Sequence, residues 1–118
     1  MANADNTTTL NQVAVIKVPG KFLTAFTAKT FRADVMQLHE QGKRHFIIDM
    51  SAIEFIDSAG VGSLISLFKT IGNEGSMCLC GVQKNVDEVL AMVNLKDLIP
   101  IYDTVDAAQQ RFTKGVVA

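Results

Sequence analysis

Residues 45–62 read His-Phe-Ile-Ile-Asp-Met-Ser-Ala-Ile-Glu-Phe-Ile-Asp-Ser-Ala-Gly-Val-Gly, and this stretch decides the fold class. Phe46-Ile47-Ile48 is a short, nearly continuous apolar run, as a parallel strand buried on both faces requires. From Ser58 the period changes. Val61, Leu64, Ile65, Phe68 and Ile71 recur at helical spacing, with Lys69 and Asn73 opposite, so an amphipathic helix opens at Ser58 and ends near Asn73-Glu74-Gly75. One hydroxyl, Ser58, thus stands between a central strand and a helix start. Unpaired backbone N–H groups and the positive end of the helix dipole favour an anion there, so a phosphate on that serine is locally tolerated.

The same alternation extends outward in both directions. Residues 10–18 carry Val13, Val15, Ile16 and Val18 before Pro19-Gly20, a strand followed by a turn. From Thr24, the residues Ala28, Phe31, Val35 and Leu38 form one apolar stripe on a helix closed by Gly42. Met77 to Cys80 reads as the next strand. Val86, Val89, Leu90 and Val93 mark a third helix, with Asn85 and Glu88 spaced as a capping box. Ile99-Pro100-Ile101 predicts a short last strand, and Asp103 or Thr104 can cap a final helix that turns Val105, Ala108 and Phe112 inward. Strands alternating with helices imply an α/β domain with right-handed crossovers: a mostly parallel sheet of four to five strands with about four helices. Binding positions in such folds lie at the C-terminal edge of the strands, where Ser58 falls.

A chain of 118 residues supports one compact domain over 1–118, with residues 1–9 and 115–118 expected to be loose ends. Its 48% hydrophobic and 19% charged residues are ordinary for a globular protein, and a formal charge of -1 supplies no footprint for nucleic acid or an anionic membrane. Apolar stretches end well before the ~18 residues of a membrane span, and no basic segment leads into an apolar run at the N-terminus. A cytoplasmic protein is expected. Cys78 and Cys80 lie two apart, on one face of a strand, without metal-ligand or redox spacing, and read as small buried apolar side chains.

Catalytic readings fail on spacing. Gly60 and Gly62 lack the third glycine of a dinucleotide fingerprint, since Ile65 stands there, and no Gly-Lys-Ser/Thr occurs. A hydrolase built on Ser58 needs a base. His45 begins the strand whose far end leads to Ser58, which places it roughly 16 Å away at about 3.3 Å per residue. His39, near the end of a helix, belongs to the same far side, and no Gly-x-Ser-x-Gly elbow surrounds Ser58. Glu54 and Asp57 have no metal-ligand companion. No enzyme, cofactor or metal is expected. The plainest use of Ser58 or Asp57 is as a helix cap worth ~1 kcal/mol.

The segment Ile56-Asp57-Ser58-Ala59-Gly60-Val61-Gly62, behind the strand His45 to Asp49, resembles the signature of the STAS domain family (sulfate transporter and anti-sigma factor antagonist), in particular its stand-alone bacterial anti-sigma factor antagonists. The likeness spans nearly the whole chain. Pro19-Gly20-Lys21-Phe22 resembles the family's first strand turn, Gly81-Val82 its third parallel strand, and residues 98–102 its closing strand. The resemblance implies that Ser58 is phosphorylated by an anti-sigma factor serine kinase and dephosphorylated by a PP2C-type serine phosphatase. It further implies that Phe22, Leu23, Asp57, Ser58, Ala59, Gly60, Val61 and Gly62 face the partner, and that the chain is a monomer or weak homodimer.

Asp57 and Gly60 would shape the turn, while Gly60 and Gly62 would let a partner's backbone approach, with helix packing an equal reading for Gly62. Two departures stand out. Ala59 replaces a frequent Ser or Thr, removing an alternative acceptor, and Leu23 stands where an acidic residue is common, which affects kinase recognition. Without kinase recognition, the same edge could serve a scaffold in a signalling assembly, or regulate polysaccharide or transport systems with no sigma factor.

Overall fold

The computed structural model describes residues 12–117, with side chains through Phe112. Four parallel strands form the main sheet in the order β1-β3-β5-β6: β1 (Val13–Lys17), β3 (His45–Asp49), β5 (Ser76–Cys80) and β6 (Ile101–Tyr102). Val13 pairs with His45 and His45 with Ser76, so the three longer strands start level. The central run behaves as its composition dictates: Phe46, Ile47 and Ile48 are all fully buried, on alternate faces of a strand with neighbours on both sides. β6 begins at Ile101, two residues after the expected start at Ile99, because Pro100 has no N–H to donate. Its carbonyl still accepts from the Leu79 N–H at 2.9 Å.

Helices cover both faces. On one, α1 (Ala25–Glu40), α2 (Ser58–Ile71) and α3 (Lys84–Met92) bring Ala28, Phe31, Val35, Leu64, Leu67, Val86 and Leu90 onto Phe46, Ile48, Met77 and Leu79. On the other, α4 (Val105–Val117) packs Ala108 and Phe112 onto Ile47, Cys78 and Cys80. The two cysteines do share a face, and burial raises both thiol pKa values to about 11, which keeps them protonated and unreactive. α1 closes as expected, with Gly42 at φ 105° donating to the His39 carbonyl. Thr104 rather than Asp103 caps α4, its hydroxyl accepting from the Ala107 N–H at 3.0 Å. α4 continues through 115–117; the expectation of a loose end for 1–9, and for Ala118, falls outside the described residues.

Three local expectations are corrected. Asn85 and Glu88 do not form a capping box: Gln83 holds the N-cap position of α3 without a side-chain cap bond, and Asn85 lies inside the first turn, its amide donating to the Glu54 carbonyl across the loop. Val93 lies beyond the end of α3 and is exposed, not inward-facing. Finally, a second, two-stranded parallel sheet joins β2 (Phe22–Leu23) to β4 (Phe55–Ile56), just beyond the C-terminal ends of β1 and β3. Two residues per strand are too few for alternation to be legible.

His45 sits at the opposite end of the sheet from Ser58. Its Nδ1 lies 2.9 Å from the Ser76 hydroxyl and its ring 5.2 Å from that of Phe112. Burial, helped by the Arg111 charge, lowers its pKa below the ordinary 6.5, so folding favours the neutral ring. Stability is therefore full above pH 6.5, falls as the unfolded chain gains a proton that the folded chain refuses, and levels once folded His45 is itself protonated. Denaturant titrations at about pH 7.5 and about pH 5.5 check this, since wild type is expected to lose more stability than His45→Gln between these conditions. Equal losses in the two proteins would contradict it.

Candidate functional site

The site is built from two crossovers that end side by side. After β1 the chain turns through Pro19-Gly20 into β2 and then α1; after β3 it runs through β4 into α2. The backbones of the two crossovers are stitched together. Glu54 and Phe55 N–H groups donate to the Lys21 carbonyl at 2.7 and 3.3 Å, and the Asp57 N–H donates to the Leu23 carbonyl at 3.3 Å. Thr27 Oγ1 donates to the Phe22 carbonyl at 2.7 Å and accepts from the Thr24 N–H at 3.0 Å, tying the first turn of α1 to β2.

Ser58 is the first residue of α2 and is exposed. Asp57 is the cap: its backbone is extended (φ -106°, ψ -177°) and its carboxylate accepts from the Gly60 N–H at 2.8 Å. This settles which of the two residues serves the helix end, and leaves the serine hydroxyl unused by the cap. The other described serines differ in setting. Ser63 Oγ is buried, Ser66 accepts from the Arg32 guanidinium at 2.8 Å, Ser76 meets His45, and exposed Ser51 lies in the loop after β3 with its N–H on Asp49.

Gly60 is the third residue of α2 and faces inward. A Cβ there would lie 2.2 Å from the Leu23 carbonyl oxygen and 2.8 Å from Ile56 Cγ1. The close approach that Gly60 permits is therefore to its own chain, the back of β2, and not to a partner's backbone as the sequence suggests. Gly62 is the reverse case, exposed with open space where a Cβ would stand, so helix packing does not explain it.

Of the residues expected to face a partner, Ser58, Ala59, Gly62 and Phe22 are exposed, Asp57 is half-buried, and Gly60 and Val61 are buried. Leu23 is corrected outright. Its side chain is 0% exposed within the core, because the alternation of β2 that turns Phe22 outward turns Leu23 in. A buried leucine offers no side chain to a partner or kinase; its contribution is the carbonyl that receives Asp57. Sequence reasoning also passed over Phe55 and Phe26, which stand 52% and 90% exposed on β4 and on the first turn of α1. No periodicity marks either ring: Phe55 belongs to a strand of only two residues, and Phe26 lies off the Ala28-Phe31-Val35 stripe of α1.

A cleft of about 600 Å³ opens further along the same edge, between Val82, Lys84, Asp87, Lys96, Ile101, Tyr102 and Asp103. Lys96 and Asp87 pair within it at 2.8 Å. No group of three or more His, Cys, Asp or Glu able to hold a metal occurs among the described residues, and none of their helices is long and apolar enough to cross a membrane.

The family model of the STAS domain matches residues 5–108. A Thermotoga maritima protein assigned by name to the anti-sigma factor antagonists is 30% identical over 98 residues, 81% of this chain and 87% of that one. The crystal structure of a Thermotoga maritima protein of the same designation superposes with a TM-score of 0.80 at 27% identity, covering 87% of this chain and 89% of the other. The anti-sigma factor antagonist SpoIIAA, solved in its unphosphorylated form, shares the fold with a TM-score of 0.73 at 21% identity over 86% of this chain and 89% of its own. The chain belongs to the STAS domain family, and these relatives carry the name of anti-sigma factor antagonists.

Proposed function

We propose that this chain is an anti-sigma factor antagonist whose binding is switched by phosphorylation of Ser58. Unphosphorylated, it docks an anti-sigma factor serine kinase through Ser58, the first turn of α2 and the adjacent β2–β4 loops, and the sigma factor held by that kinase is released. The kinase phosphorylates Ser58, the pair separates, and a PP2C-type phosphatase returns the chain to its binding form. The role is that of a regulatory binding protein and not of a catalyst.

The observation that carries this reading is the placement of Ser58: exposed, first in α2, and free of the capping duty that Asp57 performs. Phosphate adds about -1.5 to -2 charges and three acceptor oxygens. At the mouth of α2 those charges meet the positive end of the helix dipole, which offsets repulsion from the Asp57 carboxylate, so the fold tolerates them. A docked surface does not, because there the charge must shed water against a partner shaped for a neutral hydroxyl.

Incubation with the anti-sigma factor serine kinase of the same genome and ATP, followed by mass spectrometric mapping, tests the assignment. A single phosphate on Ser58, absent from Ser58→Ala, is expected. A phosphate on exposed Ser51 instead, or none on the wild-type chain, would contradict it.

A further inference from the structure

We propose that Phe22 and Phe55 are the anchor that seats the anti-sigma factor, with Ser58 on the rim of the surface they dominate. This rests on the reading above that the chain binds an anti-sigma factor at this corner. The two rings stand edge to face, centroids 6.4 Å apart and planes at 70°. They are 53% and 52% exposed, and Phe26, on the turn tied to β2 by Thr27, is 90% exposed. The remaining phenylalanines are covered wholly or in part: Phe31 and Phe46 lie in the core, Phe112 is packed between α4 and the sheet, and Phe68 is half-buried. Every strongly exposed aromatic ring among the described residues therefore belongs to the two crossovers that also deliver Ser58.

Their exposure is built into the backbone. In each two-residue strand the neighbouring side chain, Leu23 or Ile56, is buried, so alternation forces the phenylalanine outward. A one-residue slip would bring the ring in only by expelling an aliphatic core residue. The backbone bonds to the Lys21 and Leu23 carbonyls hold both strands in place before any partner arrives, which lowers the ordering cost of binding. Aromatic residues, phenylalanine among them, are enriched in protein interfaces, and the few side chains that carry most of the binding energy cluster near the interface centre.

A protein with an apolar hollow is the occupant these features fit. Lys21 and Glu54 pair at 3.8 Å on the loops that flank the rings, one cation against one anion, and the formal charge of the chain is -1. No excess of positive charge draws this face to an anionic bilayer. β4 leads through Ile56 and Asp57 directly into Ser58, so the Phe55 ring and the serine are exposed on one short segment, and a partner that seats on the rings is expected to reach the serine. Affinity then comes from the rings and switching from the charge beside them.

The test is a titration of the anti-sigma factor serine kinase of the same genome, without ATP, with wild type, Phe22→Ala, Phe55→Ala, Ser58→Asp and Met92→Ala. Met92 is 81% exposed at the other end of α3 and serves as the apolar control. Each phenylalanine variant is expected to bind roughly 10- to 100-fold more weakly with an unchanged thermal transition, and Met92→Ala to bind as wild type. Wild-type affinity in both phenylalanine variants, alongside a weakened Ser58→Asp, would overturn the anchor and leave the switch standing. Weak binding by the phenylalanine variants with an undiminished Ser58→Asp would keep the anchor and remove the switch. Loss of self-association or of binding to anionic phospholipid vesicles in Phe55→Ala, with kinase affinity unchanged, would also overturn the anchor.

Discussion

Gly60→Ala is expected to destabilise the chain by about 2–4 kcal/mol, although the same substitution two residues later should do the opposite. In an exposed helix interior, alanine is favoured over glycine by roughly 0.8–1 kcal/mol, and Gly62 has open space for the added methyl. At position 60 the methyl would lie 2.2 Å from a backbone oxygen of β2, which cannot rotate away as a side chain would. Relief requires α2 to lift from β2, and that movement strains the Asp57 N–H to Leu23 carbonyl bond as well as the Asp57 cap. Against a total stability of about 5–15 kcal/mol the loss is large. Urea denaturation of both variants checks it: Gly62→Ala should unfold at higher denaturant than wild type and Gly60→Ala at much lower. Wild-type stability in Gly60→Ala would show that β2 does not hold the first turn of α2 as described.

The second large effect concerns binding and not folding. Ser58→Asp is expected to weaken the complex with the anti-sigma factor by roughly 30- to 1,000-fold, the equivalent of about 2–4 kcal/mol of desolvation and repulsion. Stability should move by less than about 1 kcal/mol, because a carboxylate in the first turn gains from the helix dipole what it loses to its neighbour Asp57. Ser58→Ala should bind as the unphosphorylated chain does and stay bound in the presence of ATP. The separation of the two readouts matters. A variant that lost binding through unfolding would show both changes, whereas a charge at an intact surface shows only one. Thermal unfolding measured beside the titration distinguishes them, and a Ser58→Asp chain that binds as tightly as wild type would contradict the charge mechanism.

The elements that could be read from the chain are those whose signal is local and repeated. Phe46-Ile47-Ile48 announces a strand buried on both faces, and the stripe from Val61 to Ile71 announces α2, because each repeats its period long enough to exclude the alternative. Asp57-Ser58 marks the helix start for the same kind of reason: cap chemistry acts within three residues. What escaped reading is decided by contacts between distant segments. β2 and β4 become strands only because two crossovers end side by side, and that pairing is what buries Leu23 and expels Phe22 and Phe55. Asn85 has the spacing of a local cap but finds the Glu54 carbonyl across the loop. Gly60 reads as a bare spot for a visitor, and only the folded chain reveals that the Leu23 carbonyl already occupies the space. The position of the serine was therefore visible early, while the surface around it was not.

Calorimetric titration of the stoichiometrically Ser58-phosphorylated chain against the anti-sigma factor, beside the unmodified chain, tests the central claim most directly. Phosphorylation is expected to lower affinity by at least roughly 30-fold while leaving the melting transition near that of the unmodified protein. Equal affinity of the two forms would contradict the account.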